Sequence, residues 1–464
     1  MFMKVIAPLI FVLLWSLVGC VSLPPAPHIT PAQRAHWAKV KTGKFAWGIA
    51  ASSYQYEDPA VVPSDKMYFQ TDWDTLIQSR KAPPKGNADY SWSLWQKDLK
   101  VLKEIKPTHY RLSVEWARIE PQPGVYNEEA IRNYVKRVRQ LKAAGIEPVV
   151  CLWHFTFPQW LYNSRHPTES NWLHPLVDSH WRVFVTKMVR AFGSDVRFYM
   201  PQNEPNGQLT TAYIGGLWPP ARTLDYKTYY RALDASVRQF RECAAIIRSL
   251  RKDAIIIAVE AFPWWERGLF DPGNFFYNSM QRFNLEHPDR IYDVCDVMGI
   301  NYYYSRVVDP ISFTALKQNG PCYSSMGWRI NPKALYKDIQ LIANRYGKPI
   351  IITENGIATN CDAKRIQYIC NHVAMVKLAR RNGYDVRGYY VWSLADNYEW
   401  HYGYKAKFGL CAVSPYTMNR LPRPSAFYFR DLAAGCSSTS SRKFSSIHRC
   451  LSTKYTEGNS IISM

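Results

Sequence analysis

From residue 45 to about residue 395 the chain alternates two kinds of pattern. Short apolar runs of strand length recur as "KFAWGIA", "THYRLSVEW", "EPVVCLWHF", "VRFYMPQN", "AIIIAVE", "VMGINYY", "PIIIT" and "VRGYYVWSL". Their length and their β-branched and aromatic residues predict strands. Between most of them lie longer stretches with apolar residues three or four apart, such as "LWQKDLKVLKEI", "EEAIRNYVKRVRQLKAAG" and "HWRVFVTKMVRAF". That period predicts amphipathic helices, and the glycine closing "LKAAG" fits a helix C-cap. Strand and helix in alternation imply an α/β fold with a parallel sheet. Eight such units in about 390 residues imply a single (β/α)8 TIM barrel with long loops after its strands. A doubly wound sheet is the alternative, but no G-x-G-x-x-G follows the first strand. No linker breaks residues 41–434, so they read as one domain.

The ends of the chain differ from its middle. Lys4 precedes the apolar run "VIAPLIFVLLWSLVGC". A positive start, a short apolar stretch and small closing residues make residues 1–19 a signal peptide rather than a spanning helix. The ending Leu17-Val18-Gly19-Cys20 looks like a bacterial lipobox with Cys20 as the lipidation site; an ordinary cleaved signal or a short anchor is the alternative. Val21 offers no Asp-type retention signal. The expected location is therefore a lipid-anchored exported protein, on the outer membrane of a double-membraned bacterium. Residues 20–40, with "LPPAPHITP", read as a Pro-rich tether, and residues 435–464 as a Ser-rich, disordered tail.

Composition adds a few bounds. Seventeen Trp and thirty-one Tyr suit a sugar cleft, where pyranose faces stack on rings, but they also suit a large core. The net charge is +21, yet Lys and Arg are scattered without a block of five or six, so no nucleic-acid partner is expected. With Cys20 taken by lipid, nine of the ten cysteines remain, an odd number that cannot all pair within the chain. Cys151 and Cys295 sit in apolar runs and read as buried thiols. Cys322, Cys361 and Cys370 lie near loops and could bridge after export. No C-x-x-C occurs, and neither a zinc site nor any cofactor is expected.

A barrel of this kind carries its chemistry at the carboxyl ends of its strands. Gln55 follows the first strand. The second carries Arg111, the third ends at His154 and the fourth at Asn203 and Glu204. The sixth carries Asn301 and Tyr303, and the seventh ends at Glu354 in "TENG". The eighth ends near Trp392, with Glu399 and Trp400 beyond it in "DNYEW". Any one of these alone reads as a satisfied core residue. A scaffold has little reason to desolvate so many polar groups at one rim. Two carboxylates face each other there, Glu204 and Glu354, and no metal cluster, phosphate loop or Ser-His pair competes with them. Paired carboxyls flanking a bond are the chemistry of glycoside hydrolysis. An ion pair with Arg111 would make either Glu structural. Arg111 could equally hold one of them ionised as a nucleophile.

From about residue 45 to 430 the chain resembles glycoside hydrolase family 1, the β-glucosidase family. The matching stretches include "FAWGIAASSYQYE", "HYRLSVEWARIEPQPGVYN", "LWHFTFPQWL", "NEP", "GINYYYSRV", "IIITENGIA", "GYYVWSLADNYEW" and "GYKAKFGL". The resemblance implies a retaining β-glycosidase that hydrolyses a terminal β-linked hexose. Glu204 matches the acid/base, Glu354 the nucleophile, and Arg111 and Tyr303 the residues that orient that nucleophile. Gln55, His154, Asn203, Trp392 and Glu399 match the pocket for the terminal sugar, with Trp400 alongside and Asn301 as a further sugar-binding candidate. Glu399 implies an unphosphorylated substrate, because the phospho-glycosidase branch carries Ser there and a Lys soon after; Lys405 and Lys407 are nearby. The chain departs from the family at Pro201 and Gln202, at Phe155 after His154, and at "ALDASVRQF", which stands where a His-Asn pair is usual. A sugar-binding module without turnover, or an envelope lipoprotein using the barrel as scaffold, is the reading from another class; the intact pair of glutamates weighs against both.

Overall fold

The computed structural model describes residues 22–59, 69–308 and 320–435. The expected signal peptide, the lipidation site Cys20 and the Ser-rich tail from 436 lie outside them. Eight parallel strands close a barrel: β1 (Ala46–Ala50), β2 (His109–Ser113), β3 (Glu147–Cys151), β4 (Phe198–Met200), β5 (Ile255–Ala261), β6 (Val297–Asn301), β7 (Ile350–Asn355) and β8 (Val386–Trp392). Each pairs with its chain neighbours, and β8 closes on β1 from Ala46↔Gly388 to Ala50↔Trp392. These are the eight strands that the apolar runs predict.

The runs are nearly continuous because each strand is buried on both faces. One face lines the barrel interior, where Val149, Phe198, Met200, Ile257, Val297, Ile351 and Tyr390 form their own cluster. Space there is tight: a Cβ on Gly48 would lie 2.2 Å from the Tyr390 ring, so only glycine lets β1 pass that ring. The other face meets the helices in a second, larger cluster. Those helices include α2 (Trp95–Ile105), α3 (Glu128–Ala143), α4 (Val177–Phe192), α5 (Tyr226–Leu250), α7 (Pro332–Tyr346) and α8 (Asp362–Arg381). A further helix, α6 (Phe275–Leu285), sits in the loop region after β5. The glycine predicted to cap "LKAAG" is Gly145, with φ +73°.

Three expectations are corrected. The segment read as a free tether is docked from at least Pro24 onward. Residues Pro31–Ala38 form helix α1, with Thr30 and Gln33 in a capping box. Its Trp37 is buried against Tyr292, with the Lys348 ammonium over its ring. Arg345 donates to the carbonyls of Pro24 and Pro25, at 3.0 and 3.1 Å. Second, β4 stops at Met200, before Pro201, so the proline takes no donor from the ladder; the chain rejoins its neighbours when Asn203 N–H donates to Trp153 and Glu204 N–H to Val259, each at 2.9 Å. Third, among the described residues Cys322, Cys361 and Cys370 are unbridged, as are buried Cys151 and Cys295.

Candidate active site

Glu204 and Glu354 are aimed by different local devices. Glu204 follows the break in β4 with a left-handed backbone, φ +43°, and Pro205 then opens a short helix, Pro205–Leu209. The N–H bond to Val259 fixes this turn on β5, so the carboxyl projects into the mouth of the barrel. Glu354 stands on an irregularity of β7. Ile300 of β6 pairs with Ile352, but the next residue, Asn301, pairs with Glu354, which leaves Thr353 as an extra residue. Such a bulge re-aims side chains and bends the strand. Gly356 follows, where a Cβ would sit 2.0 Å from the Trp392 carbonyl oxygen.

A continuous hydrogen-bond frame joins the two carboxyls. Arg111, fully buried, donates to Glu354 Oε1 and to Asn203 Oδ1. The Tyr303 hydroxyl donates to Glu354 Oε2 at 2.5 Å. Guanidinium cannot accept, so Asn203 Oδ1 must face Arg111 and its Nδ2 must face His154, 3.3 Å from Nε2. Asn301 Nδ2 then donates to Asn203 Oδ1 at 3.2 Å and to Glu204 Oε1 at 2.6 Å. Its own Oδ1 receives the Thr353 hydroxyl at 2.6 Å. Asn301 was expected to bind sugar. Its amide is spent on Glu204, Asn203 and Thr353 instead, so it positions the Glu204 carboxyl.

The electrostatics separate the two acids. Removal from water, and after it the negative charge of Glu354, pushes the Glu204 carboxyl up to about 8; the Asn301 bond and Arg111 act the other way. Glu354 has a donor on each oxygen, one of them the Arg111 guanidinium. Burial and the nearby Arg111 hold the His154 imidazole well below its usual range, hence neutral. Its Nε2 accepts from Asn203, so the proton sits on Nδ1, which has no partner among the described residues. His154 and Asn203 are both buried at this rim.

The remaining predicted residues gather on the eighth-strand side. Gln55 donates to Glu399 Oε2 at 3.2 Å and to Asn397 Oδ1 at 3.0 Å, and Ser52 donates to its oxygen at 2.7 Å. Trp392 also donates to Glu399; even so, burial and then Glu354 push that carboxyl up to about 8. The Trp392 ring lies 6.1 Å from the His154 ring, nearly parallel to it. Trp400 is buried, stacked on Tyr54 and packed on Trp73, Phe155 and Trp218, so it forms the wall behind the pocket. Among the described residues no group of three or more His, Cys, Asp or Glu side chains is arranged to hold a metal ion.

Sequence reasoning missed several supporting groups. Thr353 gave no signal because its place depends on the bulge. Trp328 and Phe408 flank the Tyr303 ring at 5.7 and 5.8 Å. Gln202 and "ALDASVRQF", read as separate departures, are one feature: the Gln202 amide donates to the Ser236 carbonyl at 3.1 Å and accepts from its hydroxyl at 3.0 Å. Ser236 in turn lies 3.4 Å from His287, which is paired with Glu260 at 2.6 Å. Glu260 accepts from the Asn206 N–H, two residues after Glu204. Nothing local in the sequence joins residues 202, 236, 260 and 287.

Known proteins resemble this chain over most of its length. A β-galactosidase of Pyrococcus woesei is 25% identical over 500 residues, covering 84% of this chain and 96% of its own length. A bifunctional β-D-glucosidase/β-D-fucosidase of Bifidobacterium breve is 27% identical over 454 residues, covering 84% and 97%. The solved structure of a β-glycosidase from Pyrococcus horikoshii superposes with a TM-score of 0.72 at 28% identity, covering 84% of this chain and 93% of that one. The family described as Glycosyl hydrolase family 1 matches residues 39–265 and 276–436. That match takes in every strand of the barrel and both rim glutamates: the chain belongs to glycosyl hydrolase family 1 and is an O-glycosyl hydrolase.

Proposed function

We propose that the chain is a retaining β-glycosidase that releases a terminal, unphosphorylated, glucoside-type β-linked hexose, with Glu204 as acid/base and Glu354 as nucleophile. The observation that carries the reading is the opposed setting of two carboxyls in one hydrogen-bonded frame: Glu354 held by Arg111 and Tyr303, Glu204 pushed up to about 8. Asn301 occupies Glu204 Oε1, which reserves Oε2 for the mobile proton. In the first step Oε2–H gives its proton to the glycosidic oxygen as the bond from that oxygen to the anomeric carbon breaks. A Glu354 oxygen bonds to the same carbon, and the aglycone leaves with the proton. Esterification removes the charge that held the Glu204 pKa up, so Glu204 ionises. It then takes a proton from water, whose oxygen attacks the anomeric carbon and frees Glu354. Asn203 and His154 offer donors to the sugar hydroxyls throughout. The test is proton NMR of the first sugar released from an aryl β-glucoside. The β-anomer is expected; an α-anomer formed first would overturn the double displacement.

We propose in addition that the chain is exported and acylated at Cys20, on the support of Lys4, the apolar run and "LVGC". Metabolic labelling with a palmitate analogue should mark the wild type and not Cys20→Ala. Equal labelling of the two rejects it.

A further inference from the structure

We propose that the face of the barrel opposite the active-site mouth is a docking surface for an anionic phospholipid membrane, so that the anchored molecule carries its mouth turned away from the lipid. The anchor in this statement rests on the acylation reading above; the charge of the face does not.

The first argument is reach. Arg345 closes α7 at the end of the barrel where the strands begin, and it holds the carbonyls of Pro24 and Pro25. Trp37 is clamped on the same face by Tyr292 and Lys348, just before β7. Cys20 lies four residues ahead of Pro24. An extended chain gains at most about 3.6 Å per residue, so an acyl group on Cys20 enters lipid within about 14 Å of this face. The 16 residues of α3 rise about 24 Å from the mouth side of the barrel to this face. The mouth cannot reach the bilayer unless the docked segment lets go.

The second argument is charge. Lys41 and Lys44 lead into β1, Lys106 follows α2, Lys252 follows α5, and Arg380 and Arg381 end α8. All six are exposed, and none is in an ion pair among the described residues. The acids Asp195, Asp253 and Asp385 of this face are already held by Arg139, Arg251 and Arg387. Glu104 and Glu147 are the opposing charges that stay outside such pairs. Cations in the last turn of a helix complement its dipole, but Lys41 and Lys44 end no helix. A cavity of about 720 Å³ opens beside them, lined by Lys41, Phe45, Arg380 and the Arg387–Asp385 pair, so that Lys41 and Arg380 are its cations outside an ion pair among the described residues. Cationic and aromatic walls together suit a phosphate headgroup and the start of its chains.

The test uses the full chain purified from membranes, with the N-terminal peptide weighed by mass spectrometry to establish whether Cys20 is acylated. A fluorophore is attached through an azide-bearing residue at position 106, on the docking face, or at 269, on the loop after β5 where Leu269 is 96% exposed. Energy transfer to an acceptor on the headgroups of phosphatidylcholine/phosphatidylglycerol vesicles should be strong from 106 and weak from 269. Equal transfer, or the reverse order, overturns the proposal even when Cys20 is acylated. If Cys20 carries no acyl group, the anchor reading fails by itself, and vesicle sedimentation decides the docking face. Tighter binding to phosphatidylglycerol-containing vesicles than to phosphatidylcholine alone supports it, provided Lys41→Glu/Lys44→Glu/Arg381→Glu removes that excess by about tenfold or more while aryl glucoside turnover is unchanged. No excess binding in the wild type overturns it.

Discussion

Asn301 occupies one oxygen of Glu204, and burial followed by the charge of Glu354 pushes that carboxyl up to about 8; on the mechanism proposed above, the other oxygen carries the catalytic proton. Glu354→Ala is therefore expected to abolish hydrolysis of aryl β-glucosides. Added azide should restore turnover with release of the opposite anomer, read by NMR. Near-normal activity in Glu354→Ala would leave the mechanism without its nucleophile. Glu204 links activity and stability to pH. Its folded value, about 8, lies above the ordinary 4.5 of the unfolded chain. Between those values the folded state binds more protons than the unfolded one, so this group's contribution to stability falls as pH rises from about 4.5 to 8. On the proposed mechanism the same protonated form is the acid of the first step, so kcat/KM should decline above about pH 8. Glu204→Gln should lower kcat by roughly 10²–10⁴-fold on substrates with poor leaving groups. It should also flatten the fall in melting temperature between pH 5 and 8, which calorimetry at the two pH values checks. On the proposed reading, Glu399 selects against a charged substrate. When ionised, it accepts from hydroxyls and repels a phosphate at close range, and with its carboxyl pushed up to about 8 that repulsion grows as pH rises toward 8 and above. A 6-phosphorylated aryl glucoside should be hydrolysed at least about tenfold less efficiently than the free glucoside; equal rates would remove Glu399 from that role.

Among the elements, the two that lead to Glu204 and Glu354 are both irregular. β4 is cut short by Pro201 and resumes contact at Asn203, while β7 holds an extra residue at Thr353. A regular strand alternates its side chains between two faces, so neighbours such as Thr353 and Glu354 would point apart; the bulge lets both serve the frame around Asn301. Behind β4, Gln202 and Ser236 form a packed polar pair, and His287 and Glu260 extend it to the turn after Glu204. At the opposite face α1 is held chiefly by one aromatic side chain. Trp37→Ala should remove about 3–5 kcal/mol of packing from that contact. The expected result is faster proteolytic cleavage between residues 22 and 40 with unchanged turnover, because α1 lies at the end away from the mouth. Loss of activity together with α1 would mean that the segment supports the barrel itself.

For the whole molecule, the sequence determined the number and order of the barrel strands, because strands buried on two faces leave short apolar runs that survive in one dimension. It also marked the rim: a barrel places its strand ends together, so polar residues closing successive runs must meet, and "NEP" and "TENG" could be set opposite each other before any distance was known. Chemistry carried by a residue's type and its place at a strand end was legible in this way. What only the tertiary structure decided depends on contacts between distant positions. The amide orientations of Asn203 and Asn301 follow from Arg111, some 92 residues before Asn203. The use of Asn301 as a support for Glu204, the conversion of Trp400 into a wall, and the partnership of Gln202 with Ser236 likewise arise only when the barrel closes. The docking of residues 24–40 was hidden by a proline-rich composition, although Thr30 and Gln33 already spelled a capping box. Local pattern records which residues leave water; which partner each polar group finds there is set by the packing of the closed chain.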